Sequence, residues 1–431
     1  MDERRVAYVL KGYPRLSETF IASEIWRLEQ LGLSLRLYVC KPADEATHHP
    51  VVDLIQVQPV YLPHTTSLSA TTFPRWLRTN LAPFLPALGK TARRHPLRLF
   101  RAAAVATTQA VRARQGWRPR SVYAKELLLA VALADQLHDA GDVGHLHAHF
   151  AHGTTTVTWL ASIVTGLPFS FTGHAKDIYR PSLNPAGLLA RKMRAARFVL
   201  TCTAANAKHL RAVHPAAEVV LAYHGLNADF ARLLADAPAY RPPAHLRVVS
   251  VGRLVPKKGF DVLITALARM RDVGVEAELI IAGESGDAGP GLASLIDTLE
   301  LRHTVRLVGT VSQADLLTLY RSASVFALAC RIDEDGDRDG IPNVLVEAMA
   351  AGLAVVSTSV SGIPEVVAHE ENGLLVDPDD PGALADALLR LAKDPLLAAQ
   401  LGAAAAATIA AHWDGDQLAR QLATRFQAST R

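Results

Sequence analysis

The stretch RVVSVGRLVPKKGFDVLITALARMRD, residues 247–272, decides the fold. Its apolar start predicts a strand at 247–251, and apolar residues at helical spacing predict a helix at 260–271. A loop that contains Gly252 and Gly259 joins the two elements. A strand, a loop and a helix in this order are typical of an α/β protein with a parallel sheet.

The same alternation continues through a domain that we place at residues 237–412. Further strands are predicted at 278–282, 305–308, 325–329 and 354–357, and further helices at 292–299, 313–322, 342–351 and 382–391. In a doubly wound sheet of this kind, ligands bind at the carboxyl ends of the strands. The loops that follow the strands are therefore the candidate binding loops.

An earlier series of the same kind predicts a first domain at residues 1–236. Its strands are predicted at 4–10, 35–40, within HLHAHFAHG at 145–153, and at 167–172, 198–203 and 219–223. A proline-rich stretch without periodicity, 237–243, is the best linker candidate. We expect two doubly wound domains that face a ligand across a cleft. Residues 413–431 predict an amphipathic helix that packs back on the first domain.

The composition excludes several classes of protein. Half of the 431 residues are hydrophobic and a fifth are charged, which is too apolar for a disordered chain. No uninterrupted apolar run reaches the ~18 residues that span a bilayer, and the N-terminus lacks a signal-peptide cleavage pattern. Cys40, Cys202 and Cys330 lie far apart. This spacing argues against a disulfide framework or a zinc cluster and predicts a cytoplasmic protein.

Positive charge is concentrated in one segment. No acidic residue occurs between Asp53 and Glu126, whereas twelve basic residues do, and without those twelve the net charge of +4 becomes −8. Aromatic and apolar residues are interleaved with them, so residues 75–125 are a candidate for contact with an anionic membrane surface. The alternatives are a solvated basic face and nucleic acid binding. No nucleic-acid recognition motif accompanies the charge, so we expect no nucleic acid partner.

The loop after the strand at 247–251 carries two cations, Arg253 and Lys258. Gly252 allows the backbone to turn, and cations in such a loop suit a phosphate ligand. Alternatively, each cation forms an ion pair with a neighbouring carboxylate. Gly283 follows the next strand, although a glycine at a strand end is common in any doubly wound sheet.

The segment DGIPNVLVEAMAAG, residues 339–352, is the most informative part of the chain. Pro342 is expected as the first helical residue, and the amides of Asn343 and Val344 then point outward at the positive end of the helix dipole. Such amides suit a diphosphate. Asp339 and Glu347 would repel phosphate, so we expect them to bind the hydroxyls of a sugar and a ribose. The alternatives are a helix N-cap for Asp339 and a capping or surface acid for Glu347.

Taken in order, these motifs resemble a known family. VGRLVPKKG, DGIPNVLVEAMAAG, STSVSGIPEVV and ENGLLVDPDD resemble the donor-binding domain of family 4 glycosyltransferases, which are retaining enzymes of the GT-B fold. YPRLSETFIASEIWRLEQLG, HLHAHFAHG and LPFSFTGHAKDIY are similar to the branch that includes colanic acid and other exopolysaccharide glycosyltransferases. The resemblance spans nearly the whole chain, with the basic segment the least diagnostic part. It implies two facing Rossmann-like domains with a cleft between them.

The resemblance also implies roles for individual residues. Arg253 and Lys258 would hold the diphosphate and stabilise the leaving phosphate, Glu347 would bind the ribose, and Asp339 stands where the family has a longer glutamate near the donor sugar. Further donor contacts are implied for Gly252, Gly283, Gly309, Val311, Gly340, Ile341, Asn343 and Val344. In the first domain, His174 matches the active-site histidine near the donor sugar, and Asp177 lies close to it. Gly12 matches the loop where the acceptor approaches, and Gly12 and Asp177 are the residues expected to contact the acceptor.

Two patterns resemble metal sites. His145, His147 and His149 alternate along a predicted strand and His152 follows, but no acid or cysteine completes a ligand set. We interpret them as core or cleft histidines. The acidic run at 333–339 is interpreted as a solvated, mobile loop. We therefore expect no metal, and no cofactor beyond a nucleoside diphosphate sugar, which is a substrate.

The leading hypothesis is a cytoplasmic, membrane-peripheral glycosyltransferase of exopolysaccharide or cell-surface glycan biosynthesis. It would move a sugar from a UDP- or GDP-linked donor to a lipid-linked or polysaccharide acceptor. Fixed cations and helix amides would stabilise the charge that develops on the leaving diphosphate, and domain closure would exclude water. Two alternatives stay open: a sugar-nucleotide epimerase, and an inactive scaffold that binds sugar nucleotide, for which the aspartate at 339 is the support.

Overall fold

The computed structural model describes residues 4–15, 18–42, 48–114, 116–236, 240 and 246–430. The chain divides into two units. Unit 1 comprises Met1–Cys202, Asn206–Ala222 and Ala419–Arg431, and unit 2 comprises Thr203–Ala205 and Tyr223–Leu418. Apart from Tyr240, the predicted linker at 237–243 lies outside the described residues.

Unit 1 is built around a seven-stranded parallel sheet. Its strands are β1 (Arg5–Tyr13), β2 (Leu35–Pro42), β3 (Pro59–Tyr61), β4 (Val143–His149), β5 (Phe169–Gly173), β6 (Val199–Thr201) and β7 (Val219–Leu221). The strand order is β3-β2-β1-β4-β5-β6-β7. Because the order reverses between β1 and β4, the loops after these two strands flank a switch point, where ligands bind in sheets of this class.

Helices cover both faces of this sheet and form most of the basic segment. They are α1 (Thr19–Gln30), α2 (Phe73–Asn80), α3 (Leu85–Arg94), α4 (Pro96–Arg112), α5 (Val122–Ala140), α6 (Gly153–Thr165), α7 (Ala175–Tyr179), α8 (Leu188–Ala195) and α9 (Ala204–Val213). α3 packs on α5, and α4 packs on α5 and α6. The strand predicted at 4–10 extends to Tyr13, so Gly12 lies inside β1, paired with Lys41.

Unit 2 contains a six-stranded parallel sheet. Its strands are β8 (Arg247–Val251), β9 (Glu278–Ala282), β10 (Val305–Gly309), β11 (Val325–Leu328), β12 (Ala354–Thr358) and β13 (Leu374–Val376). The order β10-β9-β8-β11-β12-β13 places the switch point between β8 and β11. Most strand residues are buried, which explains their continuous apolar runs, since helices cover both faces of a parallel sheet. The two doubly wound sheets confirm the predicted α/β class.

The remaining helices follow in chain order. They are α10 (Ala228–Ala235), α11 (Phe260–Asp272), α12 (Gly289–Thr298), α13 (Gln313–Ser322), α14 (Asn343–Ala350), α15 (Pro381–Lys393), α16 (Pro395–His412) and α17 (Gly415–Thr430). The end of α17 belongs to unit 1, where Phe426 is fully buried and its ring centroid lies 4.9 Å from that of His147. Arg197 donates to the Ser429 carbonyl at 2.9 Å and holds the last turn in place.

One helical stretch, Pro395–Thr430, is long and apolar enough to cross a membrane by length and composition alone. The search of the sequence for uninterrupted apolar runs did not find this stretch, because polar residues interrupt it. Its first half, α16, packs in unit 2 with Leu401, Ala405 and Ile409 buried. A Cβ at Gly402 would lie 2.2 Å from the Gly352 carbonyl oxygen, so the backbone of α16 lies directly against the chain that follows α14. A core helix passes the same criterion, which makes the stretch weak support for a membrane span.

Candidate functional site

Three glycines bring the ends of β8, β9 and β10 together. The Gly252 amide donates to the Ala282 carbonyl at 2.9 Å, and the Gly283 amide donates to the Gly309 carbonyl at 2.8 Å. Gly283 has a φ of 152°, and a Cβ there would lie 2.0 Å from the Gly252 carbonyl oxygen. Only glycine fits such an approach. The three predicted donor-binding glycines therefore lie side by side at one edge of the sheet.

The loop after β8 also lies against the chain that leaves β11. Gly259 has a φ of 64°, and a Cβ there would lie 1.8 Å from the Ala329 carbonyl oxygen. This contact places the turn that carries Lys258 next to the segment 330–342. Arg253, in the same loop, is exposed and forms no ion pair with any residue in the described ranges. Its guanidinium is available to a ligand.

Lys258 is paired with the predicted sugar-binding acid. Its Nζ lies 2.7 Å from Asp339 Oδ2, and the Lys257 Nζ lies 3.1 Å from Asp339 Oδ1 and 3.2 Å from Asp337 Oδ1. Burial raises the pKa of Asp339, but the two lysines outweigh burial and hold that pKa well below its usual range. Of the two interpretations of Lys258, the structure shows the ion pair, so a phosphate would have to replace Asp339 as its partner.

The acidic run at 333–339 forms a defined turn. The Asp333 amide donates to the Asp337 carbonyl at 2.9 Å, and the Gly336 amide donates to the Asp333 carbonyl at 2.8 Å. The Asp337 amide bonds to Asp335 Oδ1 at 2.9 Å. These bonds and the Lys257–Asp337 ion pair hold a loop that we interpreted as solvated and mobile. The missing information was the contact with Lys257, which is distant in sequence.

Helix α14 begins one residue later than predicted. Pro342 has a ψ of 126° and is the N-cap, so Asn343 is the first helical residue. The Leu345 amide donates to the Pro342 carbonyl at 3.0 Å, whereas the amides of Asn343 and Val344 have no hydrogen-bond partner in the part of the chain that the structure describes. The Gly340 carbonyl accepts the Gly362 amide at 3.2 Å, which anchors the segment before the helix. Both predicted amide donors are therefore available to an anion.

Glu347 lies inside unit 2 and is 2% exposed, which excludes the surface-acid alternative. Its Oε1 accepts a hydrogen bond from Asn227 Nδ2 at 2.8 Å, while Oε2 has no hydrogen-bond partner among the described residues. Burial raises the pKa of Glu347 to about 7, although Asn227 and the nearby Tyr320 hydroxyl act in the opposite direction. A buried carboxylate oxygen without a donor suits a hydroxyl ligand.

The other predicted donor contacts lie on the same loops. Val311, Ile341 and Val344 are half-buried and pack against the hydrophobic core of unit 2. Ile341 lies close to Gly362, where a Cβ would come within 2.9 Å of the Ile341 Cγ1 atom. The predicted donor-binding residues therefore lie at the carboxyl end of β10, in the loops after β8, β9, β10 and β11, or in α14.

In unit 1, Asp177 caps the helix that starts after His174. Asp177 Oδ1 accepts the His174 amide at 2.9 Å, and Oδ2 accepts the Ala151 amide. Burial raises the pKa of Asp177 to about 7, against the effect of these hydrogen bonds. Asp177 is 1% exposed and its oxygens are occupied by amides, so its contacts position His174 and do not match the acceptor contact predicted for it.

Neither the backbone conformation nor a close contact requires glycine at position 12. It lies within β1, and a Cβ would make ordinary contacts of 3.5 Å with Arg15 and 3.7 Å with the Lys41 carbonyl. Its position near the end of β1 still places it at the switch point of unit 1.

A buried lysine that sequence reasoning missed supports the loop after β4. Lys192 is fully buried, and its Nζ donates to the carbonyls of Ala151 and His152 at 2.8 Å and to Asn184 Oδ1 at 3.0 Å. Burial lowers the pKa of Lys192, although Glu126 and Asp177 act against this shift. Nothing in the local pattern marks Lys192 as buried, because lysine usually lies at the surface.

The alternating histidines of β4 are fully buried. His145 Nε2 and His147 Nδ1 both lie within hydrogen-bond distance of Ser170 Oγ, at 2.7 and 2.8 Å, and His147 Nε2 lies 3.0 Å from Thr172 Oγ1. Burial lowers the pKa of His145 to about 3 and that of His147 well below its usual value. Both are therefore neutral near pH 7. His145 and His147 are core histidines, which is one of the two interpretations, core or cleft, that the sequence left open.

His149 links this group to His174. His149 Nδ1 lies 3.5 Å from His174 Nε2, and His149 Nε2 lies 3.1 Å from Glu24 Oε1. The Tyr8 hydroxyl donates to the same Glu24 oxygen at 2.8 Å. Sequence reasoning missed Glu24, since it lies on α1 and no spacing connects it to β4.

Residues 241–408 match the family model described as glycosyl transferases group 1. The part of the chain that is similar to this family lies within unit 2. This matched range includes every residue that we predicted to bind the donor.

Curated relatives align with part of the chain. Over 178 residues, or 41% of this chain and 44% of the relative, it is 38% identical to the amylovoran biosynthesis glycosyltransferase AmsK of Erwinia amylovora. Over 185 residues, or 43% of this chain and 48% of the relative, it is 37% identical to a GDP-mannose-dependent alpha-(1-6)-phosphatidylinositol monomannoside mannosyltransferase of Mycobacterium tuberculosis. The chain therefore spans less than half the length of these relatives.

Solved structures align with nearly the whole chain. Sucrose-phosphate synthase from Thermosynechococcus elongatus has a TM-score of 0.70 at 18% identity and covers 99% of both chains. Anabaena HepE, in complex with UDP and glucose, has a TM-score of 0.65 at 17% identity and covers 98% of this chain and all of its own. At these identities the likeness shows the fold, and it confirms the predicted GT-B class with two Rossmann-like units.

Proposed function

We propose that this chain is a retaining, family 4-like glycosyltransferase that moves a sugar from a UDP- or GDP-linked donor to a lipid-linked or polysaccharide acceptor. The observation that carries the proposal is the arrangement at the switch point of unit 2. There the loop with Arg253 and Lys258 lies beside the segment that leads to the free amides of α14. Cations and amides on adjoining loops form a site for a diphosphate.

The names of related proteins support the choice of substrates. One relative acts in amylovoran biosynthesis, another uses GDP-mannose, and HepE has been solved with UDP and glucose. We therefore propose a role in exopolysaccharide or cell-surface glycan biosynthesis, in the cytoplasm at the inner face of the membrane. Binding of UDP compared with GDP distinguishes uracil from guanine as the base of the donor nucleotide.

The proposed reaction begins with an exchange of partners at Lys258. Diphosphate oxygens replace Asp339 Oδ2 beside the Lys258 ammonium, while Arg253 and the amides of Asn343 and Val344 bind the remaining oxygens. Asp339 stays paired with Lys257 and can accept a donor-sugar hydroxyl. As the sugar–phosphate bond breaks, negative charge grows on the diphosphate, and these fixed donors stabilise it.

Retention requires the acceptor hydroxyl to attack from the side of the leaving group. In this proposal the acceptor oxygen bonds to the anomeric carbon, the bond from that carbon to the phosphate oxygen breaks, and the hydroxyl proton passes to the leaving phosphate. The cations and amides named above supply the charge stabilisation, so the proposal requires no cofactor and no metal ion.

Thermal unfolding with and without UDP or GDP tests the donor site. Nucleotide at 100 times its Kd is expected to stabilise the native chain by about 2.7 kcal/mol and raise its melting temperature. Lys258→Met and Arg253→Met are expected to lose most of this rise. Lys393→Met, at an exposed position near the end of α15 in the same unit, is the matched control and is expected to retain it.

The variants are compared by the rise in melting temperature upon nucleotide addition and not by the melting temperature itself. Lys258→Met also removes one of the two cations paired with Asp339, which changes stability without nucleotide. Wild-type responses in both site variants would show that the phosphate assignment is wrong. Incubation with sugar nucleotide alone separates the alternatives: an epimerised sugar favours the epimerase, and binding without transfer to any glycan or lipid acceptor favours the scaffold.

A further inference from the structure

Helix α4 of unit 1 exposes an apolar stripe on the side opposite its buried face. It buries Ala102, Ala106 and Gln109. Leu97 and Phe100, however, are 79% and 72% exposed. At about 100° per residue, the positions of Leu97, Phe100, Ala104 and Val111 fall on one side of the helix, away from the buried residues. We call these four residues the α4 stripe.

Exposed apolar side chains are concentrated in the part of the sequence that contains this helix. Of the twelve large apolar side chains that are exposed in the described residues, seven lie between Leu54 and Trp117. Trp117, just beyond α4, is 81% exposed, and the Arg118 guanidinium lies 5.0 Å from its ring centroid. A cavity of about 630 Å³ opens beside it and is lined in part by Arg118 and Arg120. Exposed apolar groups at this density mark a surface that another body covers.

Unpaired positive charge borders the α4 stripe. By helical position, Arg101 and Arg112 run along one edge of it, and Arg93 precedes it on α3. These three make no ion pair with any described residue, whereas Lys90 and Arg94 are paired with Asp135. Because the sequence has no acidic residue from 54 to 125, nothing local neutralises this edge.

We infer that the α4 stripe docks on an anionic lipid bilayer, with Leu97, Phe100 and Trp117 at the acyl boundary and the arginines on lipid phosphates. This inference deepens the proposed function, since it names the surface at which a lipid-linked acceptor is met. A second copy of the chain fits this face less well, because a twofold contact would set the same arginines against one another.

Flotation with phosphatidylcholine vesicles, with and without phosphatidylglycerol, tests the inference on the full chain. The wild type is expected to bind the anionic vesicles at least about tenfold more strongly than the neutral ones. The double variant Leu97→Ser/Phe100→Ser is expected to lose about tenfold or more of that binding. Both side chains are exposed, so the variant is expected to fold.

The matched control is Val273→Ser/Leu396→Ser, which removes two apolar side chains of unit 2 that are 64% and 68% exposed, and it is expected to bind like the wild type. Arg101→Gln/Arg112→Gln is expected to weaken anionic binding and its salt dependence. Equal binding to both vesicles, or wild-type binding by the stripe variant, would overturn the inference. So would a wild-type dimer in light scattering that the stripe variant abolishes, because a second copy would then cover the face.

The nucleotide-induced rise in melting temperature is measured on the same variants. A stripe variant that loses vesicle binding but keeps that rise supports docking, because the variant still binds nucleotide and has lost only its contact with the membrane. If nucleotide does not raise the melting temperature of the wild type, but the wild type binds anionic vesicles, the proposed function is contradicted and the docking inference stands.

A second inference concerns the hydrogen-bonded side chains next to His174 in unit 1. His149, Glu24 and Tyr8 form a buried hydrogen-bonded chain that ends at His174, the histidine matched to the active site. The Glu24 carboxylate oxygen accepts the hydrogen on His149 Nε2, which leaves His149 Nδ1 as an acceptor facing His174 Nε2. The geometry assigns Glu24 and His149 as positioning residues that set the tautomer of His174.

Nitrogen-15 NMR of the imidazoles tests this assignment without any turnover. His174 is expected to carry its hydrogen on Nε2 in wild type and to show a mixed state in Glu24→Leu, which removes the acceptor. Glu24→Gln keeps an acceptor oxygen and is expected to restore the wild-type spectrum. Ser170→Ala, which breaks hydrogen bonds of His145 and His147 only, is the control.

The kinetic counterpart rests on the proposed function. Glu24→Leu is expected to lower kcat about tenfold or more while the donor KM stays within about twofold, since a wrong tautomer affects the transition state and not donor binding. A wild-type His174 spectrum in Glu24→Leu would overturn the assignment. If the Glu24→Leu spectrum is altered but the wild type shows no transferase activity, the result contradicts the proposed function and leaves the assignment of Glu24 and His149 in place.

Discussion

At the scale of single residues, burial changes the chemistry of Glu347. Burial raises its pKa to about 7, and Asn227 only partly offsets the shift. Since this value lies above the ~4.3 of an unfolded glutamate, the folded chain binds the proton more tightly than the unfolded chain. Protonation therefore favours the fold at low pH, and this contribution is lost as pH rises from about 4.3 to about 7.

Nucleotide binding by wild type is expected to tighten by up to about tenfold between pH 6 and pH 8 through Glu347, because ribose hydroxyls donate to the ionised carboxylate. Calorimetric Kd values at the two pH values measure the effect. Nucleotide phosphates ionise in the same range, so Glu347→Gln is the reference that isolates the glutamate. Equal pH dependence in the two proteins would contradict the ribose contact.

At the scale of elements, sequence patterns located most of unit 2. Predicted and observed bounds coincide for β8, β9 and α13, because buried strands and amphipathic helices have a strong periodic signal. Helices α2 to α5 were not predicted. In α4 the buried side contains only small or polar residues such as Ala102 and Gln109, while apolar residues such as Phe100 face outward, so the usual pattern is inverted.

The turn that carries Lys258 depends on glycine at position 259. Gly259→Ala is expected to destabilise the chain by at least about 3 kcal/mol, since the new Cβ would collide with the Ala329 carbonyl and strain a φ of 64°. Gly274→Ala is the matched control: its φ is 81°, but apart from the glycine and its two chain neighbours no atom of the described residues lies within 4 Å of the added Cβ.

For the control, we expect only the left-handed strain of about 1–2 kcal/mol. Urea unfolding measures both variants. Equal losses of stability would show that backbone strain alone, and not the contact between the two loops, makes glycine necessary at 259.

At the scale of the whole molecule, the end of the chain completes unit 1. Phe426 of α17 is fully buried, with its ring centroid 5.7 Å from that of Tyr8 and 6.3 Å from that of Phe198. These contacts join residues more than 200 positions apart. The end of the last helix is therefore part of the core of unit 1.

Phe426→Ala is expected to destabilise unit 1 by about 3–5 kcal/mol and lower its melting temperature by about 6 °C or more. Phe100→Ala removes the same side chain from an exposed position and is expected to change stability by less than about 0.5 kcal/mol. Differential scanning calorimetry compares the two. A Phe426→Ala chain that melts like wild type would show that α17 does not stabilise unit 1.

The sequence by itself determined the order of strands, loops and helices in unit 2, and with it the loops on which Arg253, Lys258 and Asn343 lie. Periodicity and glycine spacing are local properties, so they can be read along the chain. Only the tertiary structure decided which side chains meet. Lys258 pairs with Asp339, and Glu347 with Asn227, because the sheet order sets β8 beside β11 and folding buries Glu347 against a distant helix. No local spacing encodes the contact between Lys258 and Asp339 or the contact between Asn227 and Glu347, which spans 120 residues.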